Sequence, residues 1–242
     1  MTPLVKVPIL VSTAYINYAC WNFPNAPPAA DRKRRETADP ITRILALTAL
    51  TVKLTMTAIC GFALVEAAVI TAQSFPTLLL SQRLLSILAP TSASGPLPLL
   101  LSPNSALGFL LILSGGLFRL WAMRTLGQFF VMEVSLQKDH KLVKSGPYAL
   151  VRHPSYVGYM FVIFGDVLLL LGGGSYLSAI GVWQSRVWGA LACLVAGRSL
   201  FVATVLMPSR AGREDAVLRE EFGTEWEAWA RQTPYKLIPY VF

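Results

Sequence analysis

The chain of 242 residues is 54% hydrophobic and only 14% charged, and it carries a net charge of +8. A soluble globular chain has about 25% charged residues, so this composition excludes an ordinary soluble domain and predicts an all-α integral membrane protein. The positive charges fall in separate loops without a basic face or an RNA-binding motif, so we expect contacts with membrane lipids and no nucleic-acid partner.

Apolar stretches predict about five membrane-spanning helices, because a span needs about 20 predominantly apolar residues. The first, 4–21, contains Lys6 and Pro8. It could alternatively be a signal peptide, but the basic run follows the apolar stretch, which favours an uncleaved span. The other spans are predicted at 41–72, 99–123, 156–171 and 187–207. A polar tail, 208–242, follows the last of them.

Lysine and arginine placement predicts the orientation of these spans. Four such residues fall in 22–40, five in 124–155 and five in 208–242, whereas the two alternate loops hold only Arg83 and Arg186. Five spans put all three basic segments on one side, which should be the cytosol because positive residues are retained there. We therefore expect the N-terminus outside.

Four charged residues fall inside or at the ends of the predicted spans. Such charges mark a functional site or a buried pair by default, because an unpaired charge in hydrocarbon is costly. For the two arginines, a side chain that extends to the membrane interface is the simpler interpretation. The four residues are Glu66, Arg119, Asp166 and Arg198.

A polar connector, 137–158, stands where the fourth span should begin. Residues 145–148, Ser-Gly-Pro-Tyr, predict a turn, and Pro154 suits the first turn of a helix. Free backbone N–H groups at such a helix start could meet an anion or a polar cofactor group. Irregular backbone at membrane depth persists where it lines a cavity, so the connector predicts a pocket.

The tail predicts an amphipathic surface helix. Its apolar residues recur at helical spacing and form one face, although Gly223 argues against a single unbroken helix. They are Leu218, Phe222, Trp226 and Trp229.

The motifs, in this order, resemble those of isoprenylcysteine carboxyl methyltransferases. The similarity is carried by HKLVKSGPY at 140–148, RHPSYVG at 152–158, REDxxL with FGxEW at 213–226, and PYKLIPY at 234–240. It covers roughly 120–242 and implies a membrane-embedded methyltransferase that binds S-adenosylmethionine in a pocket on the cytosolic side. The chain has no G-x-G-x-x-G after a predicted strand, which agrees with a family lacking the soluble nucleotide-binding fold.

The resemblance also implies roles for individual residues. Arg152 and Arg210 would face the substrate carboxylate, and Glu214 would be the acidic residue near the cofactor. Asp215 is the neighbouring candidate, because Gly212 and Arg213 occupy the first positions of the acidic run usual in the family. The cofactor-binding residues would be Gln137, His140, Lys141, Leu142, Val143, Tyr148, His153, Pro154, Ser155, Tyr156 and Glu214.

The predicted function is methyl esterification of the C-terminal carboxylate of a prenylated cysteine, in a protein or a small lipid-like acid. Residues 1–98 would supply N-terminal spans and 99–242 the catalytic region, in the endoplasmic reticulum membrane by resemblance. A different lipidic acceptor, a phospholipid amine or a terpenoid carboxylate, is the alternative on the same scaffold, because one fold serves many functions. Two competing hypotheses from different classes are a nicotinamide-dependent membrane reductase and a non-catalytic scaffold.

Overall fold

The computed structural model describes residues 3–22, 49–89, 95–130 and 141–239, and the regular elements in these ranges are all helical. The predicted all-α membrane class is confirmed. Its α-helices are α1 (Lys6–Trp21), α2 (Ala49–Ser74), α3 (Leu79–Leu88), α4 (Pro103–Leu126), α5 (Pro154–Leu171), α6 (Tyr176–Ala179), α7 (Arg186–Phe201), α8 (Met207–Phe222) and α9 (Thr224–Gln232).

Four helical stretches within the described ranges are long and apolar enough to cross a membrane: Leu50–Ser74, Pro103–Phe129, Pro154–Ala179 and Arg186–Phe222. They match the second to fifth predicted spans, although residues 41–48 lie outside the described ranges. The first predicted span corresponds to α1, whose 16 residues fall short of the usual span of about 20. The count of five therefore depends on α1 and stays a prediction.

Helices α4 and α5 pack antiparallel through two pairs of glycines. Gly108 faces Gly165, and Gly115 faces Gly158. A Cβ added to Gly108 would lie 2.8 Å from the Gly165 carbonyl oxygen, and one added to Gly115 would lie 2.7 Å from that of Gly158. Because no larger residue leaves room for such backbone contact, this glycine seam sets how closely the two helices approach.

A fully buried ion pair joins the start of α1 to α2 and to the loops before α4 and after α5. Lys6 Nζ lies 2.5 Å from Glu66 Oε1 and also donates to the carbonyls of Gly174, at 2.8 Å, and Leu100, at 3.2 Å. The backbone N–H of Tyr176 donates to the other Glu66 oxygen at 3.0 Å. Glu66 therefore belongs to a buried ion pair, one of the two roles expected for an intramembrane charge.

The next two intramembrane charges also have partners. Asp166 is buried on α5 and accepts a hydrogen bond from Asn17 Nδ2 at 2.9 Å, which joins α5 to α1. Arg198 is half-buried on α7 and donates to the hydroxyls of Thr51, at 3.3 Å, and Thr55, at 2.9 Å, at the start of α2. Neighbouring helices therefore supply polar contacts at these positions.

The fifth predicted span does not end at 207. One helix runs from α7 through a π-helical turn, Val202–Leu206, and continues as α8 to Phe222. Pro208 and Gly212 lie inside this continuous helix. Pro208, which has no N–H to donate, lies just after the π-helical turn, where the regular hydrogen-bond ladder is already interrupted. Gly223 then adopts a φ of 49° and separates α8 from α9, so the predicted apolar face is divided between two helices.

Candidate active site

The segment that precedes α5 is tightly turned and largely buried. Gly146 begins a 3-10 turn, Gly146–Ala149, with a φ of 61° that favours glycine. Pro154 occupies the first turn of α5, where its missing N–H costs no helical hydrogen bond. The predicted turn and helix start are both confirmed. Between them lie the buried residues Val151, Arg152 and His153.

Helix α8 brings two carboxylates to this segment. His153 Nε2 lies 3.0 Å from Asp215 Oδ1, and its Nδ1 lies 3.6 Å from Glu214 Oε2. The Tyr156 hydroxyl donates to the same Glu214 oxygen at 2.8 Å, and its ring stacks on the His153 ring with centroids 5.6 Å apart. The structure therefore brings together two segments that are separate in the sequence, and both acidic candidates contact the imidazole.

Arg152 lies between Asp215 and α9. Its Nη2 is 3.5 Å from Asp215 Oδ2, and its guanidinium carbon is 5.5 Å from the centroid of the Trp226 ring. Arg219 approaches the same ring at 6.0 Å and pairs with Glu227 at 2.8 Å. An arginine over an indole is a favourable cation–π contact, which fixes the direction of the guanidinium.

Arg210 is the second arginine predicted to face the substrate. It is buried in α8, one turn before Glu214, and it lies close enough to the Tyr156 phenol for its charge to act on that group. Arg152, in the segment before α5, and Arg210, on α8, therefore both lie near the His153–Tyr156 pair.

The backbone at the start of α5 is closed by the chain after α9. The N–H of Arg152 donates to the Tyr235 carbonyl at 3.0 Å, and the N–H of His153 donates to the Lys236 carbonyl at 2.9 Å. The expectation of free N–H groups is therefore wrong for these two residues. The C-terminal segment satisfies these two N–H groups, so they are not available to a ligand.

Arg119 is a residue of the site that the family motifs did not include. It is buried in α4, and its Nη1 donates to the carbonyl and hydroxyl oxygens of Ser155 at 3.0 and 2.7 Å, while its Nε donates to the Cys20 carbonyl at 3.2 Å. The interface interpretation of Arg119 is therefore wrong. Its charge inside a predicted span was the sequence signal for a buried role. The Arg119 side chain holds the first turn of α5 against α1 and α4.

Tyr148 is buried and lies beside the network. Its carbonyl accepts a hydrogen bond from the Trp229 indole at 3.2 Å. Burial raises the pKa of the Tyr148 phenol and the Glu214 carboxylate raises it further, so this hydroxyl stays protonated at neutral pH.

The remaining predicted cofactor residues lie farther from the His153 network or outside the described ranges. Leu142 and Val143 pack against the cluster of Tyr148 and Trp229, and Lys141 is exposed. Gln137 and His140 lie outside the described residues. The structure thus brings the arginine, histidine, tyrosine and acidic candidates together, with the 141–143 stretch at their edge.

Buried polar atoms of the site that have no hydrogen-bond partner indicate that a ligand fits here. Among the described residues, they include Arg152 Nε, Asp215 Oδ2 and Trp226 Nε1. Buried donors and acceptors are nearly always paired in a complete structure. Donors and an acceptor without a hydrogen-bond partner suit a ligand that carries both kinds of group.

Comparison with known proteins finds similarity to one family in the same region. Residues 106–220 match the profile described as the isoprenylcysteine carboxyl methyltransferase (ICMT) family. The chain is similar to a protein-S-isoprenylcysteine O-methyltransferase of Schizosaccharomyces pombe, with 34% identity over 140 residues that cover 56% of this chain and 50% of the relative.

Two further relatives carry the same description. Similarity to the Saccharomyces cerevisiae protein is 42% identity over 69 residues, 28% of this chain and 29% of the relative. Similarity to the Homo sapiens protein is 40% identity over 85 residues, 33% of this chain and 29% of the relative. The chain thus spans at most half the length of these relatives. No solved structure matches it.

Proposed function

Because residues 106–220 match the isoprenylcysteine carboxyl methyltransferase family, we propose that this chain methylates the C-terminal carboxylate of a prenylated cysteine, with S-adenosylmethionine as donor. The acceptor is a prenylated protein or a small lipid-like acid. The observation that carries the proposal is the contact of the 152–156 segment with Glu214 and Asp215. Its polar contact with Asp215 joins His153 Nε2 to Asp215 Oδ1 at 3.0 Å. The catalytic region is 99–242, and 1–98 supplies supporting helices.

A carboxylate acceptor needs orientation rather than deprotonation. Its reference pKa lies near 4, so it is already ionised at neutral pH. Arg152 or Arg210 can direct one carboxylate oxygen by hydrogen bonding while the second oxygen is left free to attack. Holding the reactants at near-attack distance is then the main task of the site.

The proposed donor contacts use the remaining side chains. Bound S-adenosylmethionine supplies an electrophilic methyl group on a sulfonium. Glu214 offers negative charge to a cationic group, and the Tyr148 and Tyr156 rings offer faces to the adenine or the sulfonium. A water-poor site strengthens these contacts. The full proposed set is Gln137, His140, Lys141, Leu142, Val143, Tyr148, His153, Pro154, Ser155, Tyr156 and Glu214.

The active site of this proposal lies at the cytosolic face of the endoplasmic reticulum membrane, because the basic segments flank it and positive residues favour the cytosol. Two exposed arginines test this orientation. In sealed microsomes, Arg231→Cys on α9 should react with an impermeant maleimide, whereas Arg83→Cys on α3 should react only after permeabilisation. The opposite labelling pattern would reverse the orientation.

The activity is tested with purified protein, methyl-labelled S-adenosylmethionine and a farnesylated cysteine. A base-labile methyl ester should form, and Arg152→Ala and Glu214→Gln should abolish it, while Glu221→Gln, an exposed position on the same helix, should not. Phosphatidylethanolamine and terpenoid acids are assayed in parallel. A base-stable N-methyl product would point to a phospholipid amine, and an ester on the terpenoid acid alone would point to that acceptor.

A further inference from the structure

Two tryptophans on α9 differ in the state of their indole N–H groups. The Trp229 N–H donates to the Tyr148 carbonyl at 3.2 Å, so it is part of the protein's own hydrogen bonding. The Trp226 N–H is buried and has no hydrogen-bond partner among the described residues. One tryptophan therefore holds α9 in place, and its neighbour presents a donor that the described part of the protein leaves unused.

Arg152 presents a second unused donor next to the first. Its guanidinium lies over the Trp226 ring at 5.5 Å, and its Nη2 faces Asp215 at 3.5 Å. The Nε–H points to no acceptor in the part of the chain that the structure describes. Arg152 is only 8% exposed, so water does not readily satisfy this edge of the guanidinium.

Charged side chains of both signs lie near these two donors. Arg119, Arg152 and Arg210 are all buried near the start of α5, and the carboxylates that the described residues bring to this network are Glu214 and Asp215. A single carboxylate of a ligand could accept hydrogen bonds from both the Arg152 and the Trp226 N–H groups.

We propose that Arg152 Nε–H and Trp226 Nε1–H together bind one carboxylate group of a reactant, with Trp226 as a specificity residue of the site. This inference rests on the proposed methyl transfer, whose reactants carry two carboxylates. One belongs to the prenylated cysteine, and the second belongs to the amino-acid end of the methyl donor. The chemistry that the pair recognises is the same in both.

The test is equilibrium binding without turnover, which separates the two sources. Binding of N-acetyl-S-farnesylcysteine is compared with that of its carboxamide, and binding of S-adenosylmethionine with that of its decarboxylated form. The wild-type protein should prefer the carboxylate in one of the two pairs by about tenfold or more, the size expected for a hydrogen bond to a charged group. Trp226→Phe keeps the aromatic contact with Arg152 but removes the N–H, and it should reduce this preference to a few-fold.

Trp229→Phe is the matched control. It removes the neighbouring N–H that bonds to Tyr148, so it should lower the melting temperature and leave the carboxylate preference unchanged. An unchanged preference in Trp226→Phe, or no preference in the wild-type protein for either pair, would overturn the assignment. A protein that forms no methyl ester but keeps a Trp226-dependent preference would overturn the proposed activity alone.

Discussion

His153 Nε2 lies 3.0 Å from Asp215 Oδ1, although the two residues are 62 positions apart in the chain. This contact joins the start of α5 to the middle of α8, and the same carboxylate faces Arg152. The Asp215 side chain therefore balances buried positive charge and also orients the imidazole, so it should affect both stability and activity.

Asp215→Ala should destabilise the protein by about 3–5 kcal/mol, because it leaves a buried guanidinium without its partner. The measurement is thermal unfolding in detergent, followed with a thiol-reactive or intrinsic fluorescence signal. Glu221→Ala, an exposed acidic position on the same helix, should change stability by no more than about 0.5 kcal/mol. Equal melting temperatures for the two variants would contradict the role of Asp215.

Gly165→Ala should loosen the glycine seam. The added Cβ would collide with the Gly108 carbonyl oxygen and come within 2.6 Å of an Ile112 side-chain carbon, so α4 and α5 must separate. Overpacking of this kind costs about 1–3 kcal/mol. Gly61→Ala is the control, since nothing lies within 4 Å of its added Cβ, and alanine favours helix there. The melting temperature should fall in the first variant and hold or rise in the second.

Lys6→Met should lower the stability of the protein, and a second substitution at Glu66 should restore part of it. Alone, it leaves the fully buried Glu66 carboxylate without its cation, at about 3–5 kcal/mol. Lys6→Met combined with Glu66→Gln removes both charges and keeps an acceptor for the Tyr176 N–H, so the double variant should be more stable than Lys6→Met. A double-mutant cycle measures this recovery. Additive losses would show that the two side chains do not interact.

Arg119→Met should reduce methyl transfer by about a hundredfold, because displacement of reacting groups by about 1 Å has effects of this size. Arg119 holds Ser155, and with it the first turn of α5, in place. The control is Arg198→Met, which removes an intramembrane arginine that donates to threonine hydroxyls at the start of α2, away from this turn. Both variants are assayed at saturating acceptor. Comparable loss in both would assign Arg119 a general role in folding.

The elements that apolar length and local turn chemistry determine could be predicted from the sequence. Pro154 begins α5 where the proline indicated, and helices α2, α4, α5 and α7 occur in the predicted apolar stretches. The family motifs also identified both segments that meet at His153. Apolar stretches and turn motifs depend only on residues close together in the chain, so they can be recognised in a single sequence.

Features that depend on distant contacts could not be predicted. The carbonyls of Tyr235 and Lys236 satisfy the N–H groups of Arg152 and His153, and no local pattern encodes a pairing across so many residues. The sequence alone favours the membrane interface for Arg119, because position along the chain does not reveal a buried acceptor such as Ser155. The continuation of α7 into α8 was missed because polarity marks where a span leaves the lipid, and a helix can extend beyond that point.

Helix α7, the π-helical turn and α8 form a single rod of 37 residues. At 1.5 Å per residue it extends about 55 Å, whereas the hydrocarbon core of a bilayer is about 30 Å thick. The apolar part of this helix is long enough to span the bilayer with some tilt, and the polar part carries Glu214 and Asp215. A change in bilayer thickness that alters this tilt would therefore move both carboxylates relative to the His153 imidazole, which lies at the start of a different helix.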